Sequence, residues 1–224
     1  MKVENSAPIQ NNPLKIIEIN DNGQSFNIID FFLSDVMECK SDYYDFLRAV
    51  NSASVYDEIH IHINCYGGDL DSGIQIYHSL MRSRAKKIIF VEGASISAAS
   101  VVMMAADEIE FCPWSSIMIH SYSGGEYGKF QELQSSANFS RSWFTRLMYE
   151  IYEDFLTKNE IEQVLNGKDL WLNADECSQR FKKLFKKRDK EYRKMRKENE
   201  RIDKEISKLY KKFETEEKEN EDDE

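Results

Sequence analysis

A strand–turn–helix pattern that occurs twice within residues 58–106 constrains the fold of this chain most. In each copy a short run of apolar or alternating residues ends at a glycine-containing turn, after which apolar side chains return at helical spacing. This alternation predicts an α/β fold, because parallel strands need crossover connections that are usually helices. The predicted elements are a strand at 58–63, a turn at 64–68 and a helix at 69–82, then a strand at 88–91, a turn at Gly93 and a helix at 96–106.

Further predicted elements extend this pattern on both sides. The chain has 224 residues, of which 41% are hydrophobic, which is enough for one domain with a sizeable core and an appendage. The additional elements are strands at 15–19, 109–111 and 117–119, a turn at 21–23, and helices at 41–52, 131–156 and 158–166.

Residues 180–213 differ from the rest of the chain in charge and periodicity. They contain 16 basic and 6 acidic side chains, a net charge of +10, whereas the whole chain carries −10. Seam positions alternate in steps of four and three residues, the heptad pattern of a coiled coil, and the stretch has no Gly or Pro. We therefore predict a charged helix that associates with itself or a partner, the alternative being a solvated helix. The seam is Phe181, Phe185, Arg188, Tyr192, Met195, Asn199, Ile202, Ile206, Leu209 and Phe213.

Composition divides the chain into four predicted parts. These are a flexible N-terminus at 1–13, a folded domain at 14–178, the charged helix at 179–213 and an acidic, disordered tail at 214–224. No apolar run approaches the ~20 residues of a membrane helix, and the N-terminus has no apolar signal segment. We therefore expect a cytoplasmic protein without a membrane partner.

The four cysteines indicate reduced thiols rather than a disulfide framework or a metal site. Cys39, Cys65, Cys112 and Cys177 are widely spaced and form no cluster with zinc-binding spacing. We expect neither a metal nor another cofactor. Nucleic acid is disfavoured as a partner of the basic helix, because its charges are mixed and no aromatic stacking platform accompanies it.

Ser97 and His120 are the candidate nucleophile and general base. Ser97 lies in a run of small residues after the strand at 88–91, where a strand-to-helix turn can expose a hydroxyl, although such a serine can also merely cap a helix. His120 directly follows the apolar strand at 117–119. A hydroxyl and a base held at strand ends are what serine-dependent acyl transfer requires.

The oxyanion donors and the orienting acid are less well specified by local chemistry. The N–H of Ala98 would lie at a helix N-terminus, where backbone donors have no intrahelical partner. Gly67 and Gly68 can form a plain turn, or can offer a backbone N–H to an oxyanion with no side chain in the way. The acid stays open at this point, because three carboxylates qualify: Asp154, Asp169 and Asp175.

Five blocks match the pattern of one known family. They are Ile-Asn-Cys-Tyr-Gly-Gly at 63–68, Gly-Ala-Ser-Ile-Ser-Ala at 93–98, Ile-Met-Ile-His at 117–120, Gly-Gly at 124–125, and Asp-Leu-Trp-Leu-Asn-Ala-Asp-Glu at 169–176. Together they resemble ClpP, the proteolytic subunit of ATP-dependent Clp proteases, well over residues 57–178 and loosely over 14–56. The resemblance implies the spiral of ββα units that ClpP shares with crotonases, with a protruding helix.

The resemblance also implies catalytic roles for the matched residues. Ser97 becomes the nucleophile, His120 the general base and Asp169 the acid that local chemistry left open. The backbone N–H groups of Gly68 and Ala98 become the oxyanion donors. The implied reaction is hydrolysis of peptide bonds by a serine endopeptidase.

Substrate binding and assembly follow from the same resemblance. Residues 121–125 would pair as a strand edge with an extended peptide, and the helix at 131–156 would interlock two rings of a homo-oligomer. The implied substrate-binding residues are Gly67, Ser121, Gly124 and Gly125.

Departures from the family pattern leave the partner open. Cys65 and Tyr66 replace the usual Ser-Pro, Ala98 and Ala99 replace Met-Gly, and the charged helix replaces the usual ending of the core. Either a Clp ATPase feeds the protease, or it resembles phage head-maturation proteases that process capsid or scaffold proteins without an ATPase. From other classes, a crotonase-like acyl-CoA enzyme and an inactive ring subunit are the alternatives.

Overall fold

A seven-stranded sheet with accompanying helices makes up most of the part of the chain that the computed structural model describes, residues 13–21, 24–38, 40–125 and 127–221. The predicted α/β class is confirmed. The strands are β1 (Leu14–Asp21), β2 (Gln24–Met37), β3 (Glu58–Gly68), β4 (Lys86–Ile96), β5 (Glu108–Phe111), β6 (Ser116–Ile119) and β7 (Leu170–Asn173). The helices are α1 (Tyr44–Ser52), preceded by a 3-10 turn at Lys40–Tyr43, α2 (Leu70–Arg82), α3 (Ala98–Met103), α4 (Phe130–Tyr152), α5 (Lys158–Leu165) and α6 (Ala174–Glu221).

The sheet is parallel at its centre and antiparallel at its edges. The strand order is β1-β2-β3-β4-β6-β7, and β5 pairs with the first part of β4. The pairs among β2, β3, β4, β5 and β6 are parallel, as the crossover helices predict. The β1–β2 and β6–β7 pairs are antiparallel, so the expectation of a parallel sheet is wrong at both edges.

The alternation along β3 places one of its faces in the core. Ile59, Ile61 and Ile63 are fully buried, whereas His60 and His62 lie on the opposite, half-buried face. Each buried isoleucine contributes ~1.5–3 kcal/mol to folding through removal of apolar surface from water. The prediction of a half-buried strand is therefore confirmed.

The ends of β3 and β4 differ from the predicted boundaries. The turn expected at 64–68 is strand, because β3 stays paired with β2 through the Met37–Gly68 register. The helix expected at 96–106 is shorter, since β4 continues to Ile96 beside β6 and α3 spans only Ala98–Met103. Because of these extensions, the ends of β3, β4 and β6 lie side by side.

Helix α6 is longer than the predicted charged helix at both ends. It starts at Ala174 rather than at 179, and it continues through Glu221, so residues 214–221 are helical where the sequence predicts disorder. One compact unit of the chain ends at Phe181, and a second unit begins at Lys182. The first twelve residues, residues 22 and 23 of the predicted turn, Cys39 and the last three residues lie outside the described part.

None of the helices within the described residues carries an apolar stretch that could cross a bilayer.

Candidate active site

Ser97 occupies a strained turn between β4 and α3. Its backbone has φ 56° and ψ −123°, in a region that residues other than glycine rarely adopt. The turn is anchored to the neighbouring strand, because the Ser97 N–H donates to the Met118 carbonyl at 2.9 Å. The side chain stays partly exposed, so its hydroxyl is accessible.

His120 lies beside Ser97 because β6 pairs in parallel with the end of β4. The register aligns Ile96 with Met118, and His120 follows the last residue of β6. Its Nε2 is 2.7 Å from the Ser97 Oγ. This hydrogen bond joins two residues that sequence analysis selected separately.

Asp169 reaches the same site from the antiparallel strand β7. Ile119 pairs with Leu170, so the next residues outward, His120 and Asp169, are neighbours across the two strands. The Asp169 Oδ1 lies 3.9 Å from the His120 Nδ1, within ion-pair range but too long for a hydrogen bond, and the carboxylate is 56% exposed. Asp169 is thus the carboxylate beside His120.

Two glycines allow the end of β3 to pass closely between the Ser97 turn and the end of β2. Gly67 has φ +85°, and a Cβ there would lie 2.6 Å from the Ser97 Cβ. Gly68 has φ +131°, and a Cβ there would overlap the Met37 carbonyl oxygen. A side chain at Gly67 would push the strand away from Ser97, and one at Gly68 would push it away from Met37 in β2. Ala98, the first residue of α3, completes the backbone around the hydroxyl.

A cavity of about 520 Å³ opens beside Ser97 and His120. Its walls include the strand ends and α4, and most of its lining residues are apolar or aromatic. Sequence analysis did not single out these wall residues, because their apolar spacing in α4 reads as ordinary helix packing. The wall residues contributed by α4 are Trp143, Phe144, Leu147, Met148 and Tyr152.

The segment after His120 only partly lines the cavity. Tyr122 and Ser123 contribute to its wall, whereas a Cβ on Gly124 or Gly125 would meet nothing within 4 Å. Residues 121–125 form no strand in this isolated chain. Their expected pairing with a peptide stays a prediction.

Within the described residues, no three His, Cys, Asp or Glu side chains converge in an arrangement that could hold a metal ion.

The fold and the site define an α/β protein with a serine–histidine pair at the ends of two neighbouring parallel strands. The sequence profile of the Clp protease family matches residues 31–180, more than half of the chain. The protein belongs to the Clp protease family, so the resemblance to ClpP and the fold that it implied are confirmed.

Three curated relatives agree with this assignment at low identity. The chain is 33% identical over 93 residues to the ATP-dependent Clp protease proteolytic subunit of Deinococcus radiodurans, covering 41% of this chain and 46% of that protein. It is 27% identical over 125 residues to proteolytic subunit 1 of Salinibacter ruber, covering 54% and 53%. It is 30% identical over 132 residues to proteolytic subunit 2 of Treponema denticola, covering 58% and 66%. The matches thus span about half to two thirds of these relatives.

Proposed function

We propose that the protein is a serine endopeptidase in which Ser97 attacks the peptide carbonyl. The observation that carries this proposal is the 2.7 Å contact between the Ser97 Oγ and the His120 Nε2 at a strained, cavity-facing turn. A serine packed for purely structural reasons would not need a left-handed backbone conformation and an imidazole partner at once.

Each side chain has a defined part in the first half of the reaction. As the Ser97 Oγ bonds to the carbonyl carbon, its proton passes to the His120 Nε2, which requires the Nδ1 to carry the other proton. Asp169 faces that Nδ1 and stabilises the imidazolium. When the C–N bond breaks, His120 gives its proton to the leaving amine. Water then repeats the sequence on the acyl-enzyme and releases Ser97.

The backbone N–H groups of Gly68 and Ala98 are the proposed oxyanion donors. Both belong to segments that touch Ser97, because the end of β3 passes against the turn and Ala98 follows the nucleophile. Loss of one such donor costs a factor of ~10²–10³ in rate in other serine enzymes. Backbone donors also explain why Ala98 can replace the methionine usual in the family.

The substrate is proposed to be an extended peptide that runs along residues 121–125. Gly67, Ser121, Gly124 and Gly125 would bind its backbone, and the apolar cavity beside Ser97 would accept a side chain. The open space around Gly124 and Gly125 leaves room for a peptide strand.

Replacement of the nucleophile tests the proposal directly. Ser97→Ala should abolish covalent labelling by an alkyl fluorophosphonate, whereas the control Ser95→Ala should be labelled normally. Ser95 is a fully buried serine two residues away whose Oγ has no partner among the described residues. Labelling of Ser97→Ala at the wild-type rate would show that another residue is the nucleophile. Binding of acyl-CoA by an unlabelled wild type would favour the crotonase-like alternative.

Assembly into a homo-oligomeric ring, with α4 as the helix that interlocks two rings, is part of the proposal. Negative-stain images of the purified protein should show rings, and their absence would contradict it. Rings that are never labelled would indicate the inactive subunit. Peptidase activity toward folded proteins only with a Clp ATPase would identify the degradative role, whereas cleavage of capsid or scaffold protein alone would identify phage head maturation. A cytoplasmic location stays a prediction.

The second unit of the chain is proposed to associate through the heptad seam. Seam residues Tyr192, Met195, Ile202 and Ile206 are 44–61% exposed on the isolated helix, an apolar stripe of the kind that coiled coils bury. Removal of residues 182–224 should preserve fluorophosphonate labelling and change the oligomeric state or targeting. An insoluble or unlabelled truncation would contradict the assignment of a separate module.

A further inference from the structure

A chain of two buried hydroxyl groups ends on the backbone of Ser97. Ser100 lies in the first turn of α3 and Tyr152 is the last residue of α4, and they are 1% and 2% exposed. The Ser100 Oγ is 2.7 Å from the Tyr152 OH and 2.7 Å from the Ser97 carbonyl oxygen. Neither hydroxyl takes part in the strand pairing that brings His120 beside Ser97.

Proton counting fixes the direction of both hydrogen bonds. The Ser97 carbonyl oxygen has no proton, so the single hydroxyl proton of Ser100 must be donated to it. The Tyr152 OH must then be the donor to Ser100. Burial raises the pKa of Tyr152 well above its ordinary value, so the phenol keeps its proton. The same carbonyl also accepts the Ser100 N–H at 2.9 Å.

We propose that Tyr152 and Ser100 are positioning residues that hold the Ser97–Ala98 peptide plane in its reactive orientation. The Ser97 carbonyl and the Ala98 N–H belong to one planar trans unit and point in opposite directions. Fixing the carbonyl therefore fixes both the ψ angle of the nucleophile and the direction of a proposed oxyanion donor. The inference rests on the proposed serine chemistry.

Burial makes this arrangement stiff. Because both side chains are almost fully buried, solvent compensates poorly for a broken link. These two hydrogen bonds also connect α4, which lines the cavity, to the turn that holds the nucleophile. A strained backbone persists only where surrounding contacts over-determine it, and these two hydrogen bonds supply such contacts at Ser97.

The test compares two phenol deletions in the same helix. Tyr152→Phe removes the terminal donor with little change in shape, and Tyr149→Phe removes a half-buried phenol that does not line the cavity. With an alkyl fluorophosphonate, we expect the maximal labelling rate of Tyr152→Phe to fall about tenfold, or ~1.4 kcal/mol of transition-state stabilisation. The probe concentration for half-maximal rate should stay unchanged, as should both parameters of Tyr149→Phe.

A double-mutant cycle adds a second criterion. If the hydroxyls act as one chain, adding Tyr152→Phe to Ser100→Ala should lower the labelling rate little further. Multiplicative losses would show that they act separately and would overturn the proposal, as would wild-type labelling of Tyr152→Phe or an equal loss in Tyr149→Phe.

A wild type that is not labelled would refute the proposed serine chemistry itself. Crystal structures of the variants test the positioning role even in that case. In Tyr152→Phe the Ser97 Oγ and His120 Nε2 should move beyond hydrogen-bond range, with a changed Ser97 ψ. An unchanged Ser97 turn in that variant would overturn the positioning role.

Discussion

Two parts of helix α6 have the same secondary structure but different sources of stability. In the anchored segment, residues 174–181, Cys177 and Phe181 are fully buried. The Phe181 ring lies 5.0 Å from the Phe155 ring and 5.8 Å from the Phe111 ring. In the exposed segment, residues 191–206, every side chain is exposed to solvent. All but the last residue of the anchored segment lie within the part of the chain that the family profile matches, whereas the exposed segment lies outside it.

The electrostatic contacts of the two segments differ in the same way. Arg180 of the anchored segment forms a bidentate ion pair with Glu160. Its two terminal guanidinium nitrogens lie 2.7 and 3.0 Å from the two carboxylate oxygens, and both side chains are less than a quarter exposed. The exposed segment has single i,i+4 pairs such as Arg196–Glu200 and Arg201–Glu205. One part is therefore held by tertiary packing, and the other by local contacts that cost little to break.

The largest predicted effect is the loss of the buried aromatic ring. Phe181→Ala should lower the free energy of unfolding by ~3–5 kcal/mol, since it removes packing and leaves a cavity. The matched substitution Ile202→Ala should change it by less than ~0.5 kcal/mol, as for other exposed positions. Urea unfolding at low protein concentration measures both.

A large loss of unfolding free energy in Ile202→Ala would contradict the difference between the two segments. If that loss appears only at high protein concentration, the seam is buried by self-association, as proposed for the second unit. A loss at low concentration would instead mean that the exposed segment depends on packing within one chain.

The Arg180–Glu160 pair gives a smaller, pH-dependent effect. Its hydrogen bonds with Arg180 hold the pKa of Glu160 at about 2, below the ordinary 4.5. Because the folded-state pKa is lowered, the pair stabilises the protein above pH 4.5, and this contribution is lost as the pH falls toward 2. The loss amounts to ~2–3 kcal/mol.

Glu160→Gln isolates this contribution. The variant should be less stable at pH 7 and should lose less stability than the wild type between pH 4.5 and 2. The control Glu200→Gln, in the exposed segment, should follow the wild-type curve. Identical acid unfolding of Glu160→Gln and wild type would show that the ion pair contributes nothing to the anchored segment.

Local patterns predicted the centre of the fold better than its edges. The alternation in β3 is readable because only one of its faces is buried. Local patterns do not predict strand β2, because Phe31 is buried while its neighbour Phe32 stacks on the outer face against His62, so apolar residues do not alternate with polar ones. The C-terminal end of α6 differs from the prediction because an acidic composition is typical of disorder, although glutamate is also a good helix former.

Local patterns likewise predict only some residues of the candidate site. Ser97 and His120 could be selected because each follows a short apolar strand. Asp169 could not be selected without the family resemblance, since its position depends on the Ile119–Leu170 register between distant segments. The Ser100–Tyr152 contact spans 52 positions, and no local pattern predicts a hydrogen bond over that separation.

The smallest predicted effect concerns the local ion pairs of the exposed segment. The Arg196 Nε lies 3.1 Å from the Glu200 Oε1, with both side chains more than half exposed. Such i,i+4 pairs contribute ~0.3–0.5 kcal/mol, so Glu200→Gln should slightly speed hydrogen exchange of the amides around residue 200 in the full-length protein. The difference should vanish in 1 M salt, where the screening length is ~3 Å. A salt-independent change, or one that reaches the anchored segment, would show that the two parts of α6 are not independent in stability.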